Sequence, residues 1–186
     1  MPDVPDLARL SLADIARLAA ERKLPPVDMW NPAHCGHSGM RIAADGTWFH
    51  DGSPIGREAM VRLFSTILRR EPDDGFVLVT PAEKLDIDVE DAPFAAVEVK
   101  SDGAGRERSL AFRLNIGEFV VAGPKHPLRL VSREDGPHPY VEVRPGLDAR
   151  IARSVYYELA EIALSEAAEP PGLWSDGAFF ALEPAA

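Results

Sequence analysis

Cysteine is nearly absent from this chain: 186 residues hold one, Cys35. No intrachain disulfide can form, so stability has to come from a packed core. Long apolar runs are missing too. Nothing approaches the ~20 residues a helix needs to span a bilayer, so membrane insertion is not expected. Positive charge is in deficit, with 20 Lys+Arg against 30 Asp+Glu and a formal net charge of −10. That balance excludes general binding to nucleic-acid backbones. A secretory leader is not expected either: Asp3 and Asp6 precede any basic residue, and Arg9, Asp14 and Arg17 interrupt the start. The expected location is the cytoplasm, with the thiol reduced.

What is present is ordinary globular material. Apolar residues make up 46% and charged ones 27%, too apolar for a disordered chain. The length suits one domain or two small halves. Charge is unevenly placed. Glu71 to Asp102 carries ten acidic and two basic residues, and beyond Arg153 there are six acids and no base. Met40–Arg70 and Gly105–Arg150 each sum to +2. Long-range steering favours cations, while local arginines remain able to hold an anion.

Periodicity supplies the elements. Ser11 with Asp14 three residues on is a capping-box start, followed by Leu12, Ile15, Ala16, Leu18 and Ala19 at helical spacing. PPVDMWNPAHCGHSG reads as an ordered loop anchored by Trp30. MRIAADGTWFHDGSPI reads as a hairpin turning at Asp45–Gly46. Gly56 to Arg70 is the clearest helix, with a core stripe of Ala59, Met60, Leu63, Phe64, Ile67 and Leu68. Strands are predicted over 76–80, 84–89 and 95–100, then 108–115, 118–121, 128–131 and 140–143. In LDIDVED the alternation turns Leu85, Ile87 and Val89 inward and Asp86, Asp88 and Glu90 outward. Leu147 to Ser165 reads as a second strong helix, and a turn at Ser175–Gly177 precedes a last strand.

A weak repeat runs through this order. Helix 55–70 followed by GFVLVTP (75–81) parallels helix 147–165 followed by AFFALEP (178–184). The expected fold class is therefore α+β, with two small α/β halves and a ligand site between them. The expected organisation is an N-terminal helix (1–24), a first half (25–100) and a second half (101–186).

Motifs for specific chemistry mostly fail. His34, Cys35, His37 and His50 lack the spacing of a zinc site, and no metal is expected. GHSGM has Met40 where a nucleophile elbow needs glycine. DGAGR stops short of a dinucleotide fingerprint, since Arg108 stands at its third glycine position. DIDVED has Asp91 and Val97 where a calcium loop needs Gly and Glu. No cofactor is expected. Two features stay open. Cys35 with His37 or His50 has the residue types of a nucleophile and base, and Arg41, Arg57 and Arg62 could hold a carboxylate or phosphate.

The runs PPVDMWNP (25–32), Cys35–Gly36, MRIAADGTWFHDGSPIGREAMVRLFSTILRRE (40–71) and FVLVTPAEKLDIDVEDAPF (76–94) resemble a bacterial domain-of-unknown-function family, number 1285. The likeness covers about residues 12–184. It implies repeated α/β motifs, a C-terminal half superficially like a pleckstrin-homology domain, and a ligand site between the halves. It implies no established activity, only a suggested role in signal transduction. Carried across, the positions for that site are Trp30, Asn31, Cys35, Arg41, Trp48, Arg57, Thr80, Glu83, Lys84 and Phe94.

The leading expectation is a non-enzymatic protein that binds a small ligand, its anionic group held by Arg41 or Arg57, or a protein partner. The alternatives are a hydrolase or transferase using Cys35 with a histidine, and a scaffold with no small ligand.

Overall fold

The computed structural model describes residues 6–183; Asp3 and Pro184 lie outside the described residues. Helix α1 (Leu12–Ala20) comes first, and its capping box is formed: Ser11 Oγ accepts from the Asp14 amide and the Asp14 carboxylate accepts from the Ser11 amide. The chain then divides into two units. The first is Lys23–Pro93 with Pro145–Leu147; the second holds α1, Phe94–Arg144 and everything from Asp148 on.

The first unit is a six-stranded sheet with one helix. Its strands are β1 (His34–Ile42), β2 (Trp48–His50), β3 (Ser53–Pro54), β4 (Leu68–Arg70), β5 (Phe76–Val79) and β6 (Glu83–Val89), in the order β3-β2-β1-β6-β5-β4. The expected hairpin is β1–β2, pairing Ile42 with Trp48. Asp51 and Gly52, both at positive φ, make the two-residue turn into β3. The predicted alternation of β6 is present, with Ile87 buried and Asp86 and Asp88 exposed.

Two sequence expectations change here. The segment read as loop up to Gly39 is strand from His34 on, because β1 lies parallel to β6, pairing Cys35 with Lys84 and His37 with Asp86. Its polar residues show no alternation, so only the partner strand reveals it. Between His37 and Arg41 the register shifts around Gly39, at φ +70° and with Asp51 Oδ1 only 2.5 Å from where a Cβ would sit. The long helix is also shorter than predicted. Helix α2 runs Glu58–Thr66, and Leu68–Arg70 becomes β4, bound to β5. Ser65 and Thr66 turn their hydroxyls back onto the carbonyls of Arg62 and Leu63, at 2.7 and 2.6 Å, where the helix ends. Of the expected core stripe, Leu68 is buried but in a strand, while Met60 and Leu63 stand 38% and 63% exposed.

The second unit repeats the plan. Strands β7 (Phe94–Asp102), β8 (Ser109–Leu114), β9 (Phe119–Val121), β10 (Leu128–Arg133), β11 (Gly136–Arg144) and β12 (Leu147–Ile151) take the order β10-β11-β12-β7-β8-β9. Helix α3 (Arg153–Glu166) follows, then a separate hairpin of β13 (Gly172–Ser175) and β14 (Ala178–Ala181). The helix predicted from Leu147 therefore begins six residues later. Leu147, Ala149 and Ile151 are buried at period two, and Ala149–Ile151 pair parallel with Phe94–Ala96. Within α3, Val155, Leu159 and Ala163 carry the core face. A strand-rich sheet followed by one long helix is what the resemblance implied.

The duplication is real but differs from the motif pair that suggested it. Each sheet runs outward through three strands from the centre and returns through three more from the opposite edge, so β1 and β6 correspond to β7 and β12. The two apolar runs ending in proline do not correspond: β5 sits inside a six-stranded sheet, β14 in a two-stranded one. Buried Ser175 ties that hairpin to the second sheet, its Oγ accepting from Leu110 N at 2.8 Å and donating to the Ala122 carbonyl at 2.7 Å. Ser175→Ala leaves two buried backbone groups unpaired, so urea unfolding should show a loss of about 1–3 kcal/mol.

Candidate functional site

The parallel register between β1 and β6 decides which predicted residues share a face, because directly paired residues project to the same side. Cys35 stands beside Lys84, and His37 beside Asp86. Further along, Arg41 pairs with both Phe49 and Asp88, on that same face. Three predicted site residues, Cys35, Lys84 and Arg41, are thus brought onto one sheet face.

At one end of this face the charges form a network. Lys84 Nζ donates to Glu71 Oε2 at 3.1 Å, and Arg69 Nε donates to Glu71 Oε1 at 2.6 Å. Arg69 Nη1 also donates to the carbonyls of Val27 and Trp30, at 2.7 and 2.8 Å, which tethers the Val27–Met29 turn and Trp30 to β4. All three charged side chains are largely buried. Two cations share one carboxylate here, with the exposed thiol of Cys35 alongside. Burial pushes the Glu71 carboxyl up, but the hydrogen bonds from Arg69 and Lys84 outweigh it and hold it below the usual range.

Further along the same face, Arg41 donates to Glu90 and lies over the Phe49 ring, its guanidinium 4.3 Å from the centroid. The remaining predicted residues are elsewhere. Arg57 is the exposed N-cap residue of α2 and gives it no side-chain cap. Thr80 Oγ1 accepts from the amides of Ala82 and Glu83 and so closes the turn between β5 and β6. Glu83 opens β6 opposite His34, one position from Lys84 and therefore on the other face. Asn31 is exposed between the Val27–Met29 turn and β1. Trp48 is buried opposite Ile42, and its indole N–H has no protein acceptor. Phe94 belongs to the second unit, buried at the start of β7 beneath the Arg144 guanidinium, 5.3 Å from its ring.

Two of the histidines have partners other than the thiol. His37 Nδ1 accepts from the Gly39 amide at 2.9 Å and its Nε2 faces Asp88 at 3.5 Å; His50 faces Asp51. Among the described residues no group of three or more His, Cys, Asp and Glu is placed to hold a metal ion. None of the helices described is long and apolar enough to cross a membrane. Sequence reasoning missed Arg69 and Glu71. Arg69 lies in β4 and Glu71 follows its end; their spacing of two was the available signal, and it was absorbed into a helical reading.

Comparison with known proteins gives one family. A model described as the N-terminal domain of DUF1285, a domain of unknown function, matches residues 25–92. One described as the C-terminal domain of DUF1285, a protein of unknown function, matches residues 93–182. The crystal structure of a DUF1285 family protein from Silicibacter pomeroyi DSS-3 is similar with a TM-score of 0.78 and 44% identity, over 94% of this chain and 95% of that one. A DUF1285 family protein from Shewanella baltica OS155 gives a TM-score of 0.53 and 27% identity, over 68% of this chain and 94% of its own. No curated protein matches the sequence.

The Glu71 network has a pH signature. A carboxyl held below its ordinary range binds its proton less tightly folded than unfolded. Its contribution is therefore fully present above the unfolded value, about 4.3, and is lost as pH falls through the lower folded value. Glu71→Gln should cost roughly 1–3 kcal/mol at pH 7 in urea unfolding. The gap between variant and wild type should shrink at pH 3.

Proposed function

The chain belongs to the DUF1285 family, and from that premise we propose that it is a cytoplasmic, non-enzymatic protein that binds a small ligand on the β1–β6 face of its first unit. The observation that carries this reading is the pairing of two cations with one carboxylate beside Cys35. Arg69 is engaged by Glu71 and two carbonyls, so Lys84 is the cation able to change partners and meet an anionic group on the ligand. Cys35 and His37 supply polar, exposed flanks. A binding role is favoured over catalysis by the thiol because His37, two positions along β1 on the same face as Cys35, is engaged by Gly39 and Asp88. The single free thiol suits a reducing compartment.

The test is a thermal-shift screen of small carboxylates and phosphate esters, followed by Cys35 labelling with a chromogenic disulfide reagent. A compound that stabilises the wild type should slow labelling of Cys35, and Lys84→Met should lose both effects. Stabilisation that persists in Lys84→Met with unchanged Cys35 reactivity would sink the assignment.

A further inference from the structure

The edge strands of the two six-stranded sheets are β3, β4, β9 and β10. The first three are short or covered. β3 is two residues ending in Pro54, β4 is three residues beside the Val27–Met29 turn, and β9 is three residues packed by α1. β10 is six residues long and ends the second sheet. It holds no proline or lysine, and its register against β11 is unbroken. Those are devices that blunt an edge against pairing with another chain.

The backbone groups that β10 leaves open follow from its partner strand. In an antiparallel pair, residues that exchange hydrogen bonds alternate with residues that exchange none. Leu130 faces Pro139 and Ser132 faces Pro137, and proline has no N–H to exchange. The bonded positions are therefore Arg129, Val131 and Arg133. The Glu142 amide, donating to the Pro127 carbonyl at 3.0 Å, belongs to the same series. Leu128, Leu130 and Ser132 turn their N–H and C=O groups to the open side. Among the described residues nothing bonds to them there. Arg129, Val131 and Ser132 are exposed.

We propose that β10 pairs antiparallel with β10 of a second copy of this chain, joining two second-unit sheets across a twofold axis. The residues select one register. With the axis at Leu130, that residue faces Leu130 of the second copy, and Leu128 faces Ser132 in both directions. Every outward N–H then meets an outward carbonyl. On the exposed face Arg129 lies against Val131 and covers it with its stem, while keeping its ion pairs with Asp148 and Glu142. A slide of one residue sets outward groups against groups already bonded to β11. A slide of two in one direction sets Ser132 against His126, whose amide and carbonyl are bonded to Gly123, and Arg129 against Arg129. In the other direction Leu128 meets Glu134 in the hairpin turn, and Arg129 meets Arg133. Like charges directly opposite repel. This self-complementarity favours a second copy over an unrelated extended segment, and twofold dimers are the commonest oligomers. The surface shares no residue with the β1–β6 face of the first unit.

The experiment is sedimentation of the full chain at concentrations up to about 200 µM, with a thiol reductant present so that Cys35 cannot link copies. The wild type should show a monomer–dimer equilibrium. Ser132→Pro removes an N–H that β11 does not use, at an edge position where proline is tolerated; it should be monomeric with an unchanged far-UV spectrum. Val131→Lys sets a cation against Arg129 of the second copy, twice by symmetry, and should weaken the dimer about tenfold. Val131→Glu, facing the same Arg129, should dimerise at least as tightly as the wild type. A wild type that stays monomeric would overturn the proposal. So would a dimer that Ser132→Pro and Val131→Lys leave intact, which would put its interface elsewhere. Equal weakening by Val131→Lys and Val131→Glu would overturn the register. If Ser132→Pro does not fold, the two Val131 variants decide the matter.

Discussion

Each unit of this protein depends on one parallel pair of strands at the centre of its sheet: β1 with β6, and β7 with β12. Parallel neighbours cannot be joined by a hairpin, so the chain must leave the centre and return from elsewhere. It does so in the same way twice, outward through three strands and back through three. In the first unit α2 lies between the two sets; in the second a short connection does, and the helix follows the last strand. A one-residue slip in the central pair would turn Cys35, Lys84 and the exposed acids of β6 to the other face. The candidate site exists only because that register holds.

The charge pattern gains meaning from these positions. A chain of net charge −10 nonetheless places two cations, Arg69 and Lys84, around a single carboxylate, Glu71, in its first unit. Bulk acidity sets what approaches from a distance, while local excess decides what stays. The arginines that looked most available in sequence are less suited. Arg41 is held by Glu90 and Phe49, and Arg57 stands exposed at a helix start.

Legibility followed the range of the interaction. Local signals were readable: the Ser11–Asp14 box, the β1–β2 hairpin turning at Asp45–Gly46 and the alternation of β6. Helix ends were not, because β4 and β12 are strands only by virtue of partners elsewhere in the chain, and Leu68 and Ile151 fit a helical stripe equally well. The strand character of His34–Gly39 was invisible for the same reason. The family resemblance brought Lys84, Cys35 and Trp30 to notice, yet the partners Arg69 and Glu71 needed the fold.

The central claim is the β1–β6 register, and the native thiol offers a direct measurement of it. Adjacent parallel strands bring paired Cα atoms within disulfide range, whereas a residue two positions further along is beyond about 7 Å. Mild oxidation of Lys84→Cys should therefore give an intrachain crosslink to Cys35, and Asp86→Cys should not. A crosslink from position 86 with none from position 84 would contradict the register and the face built on it.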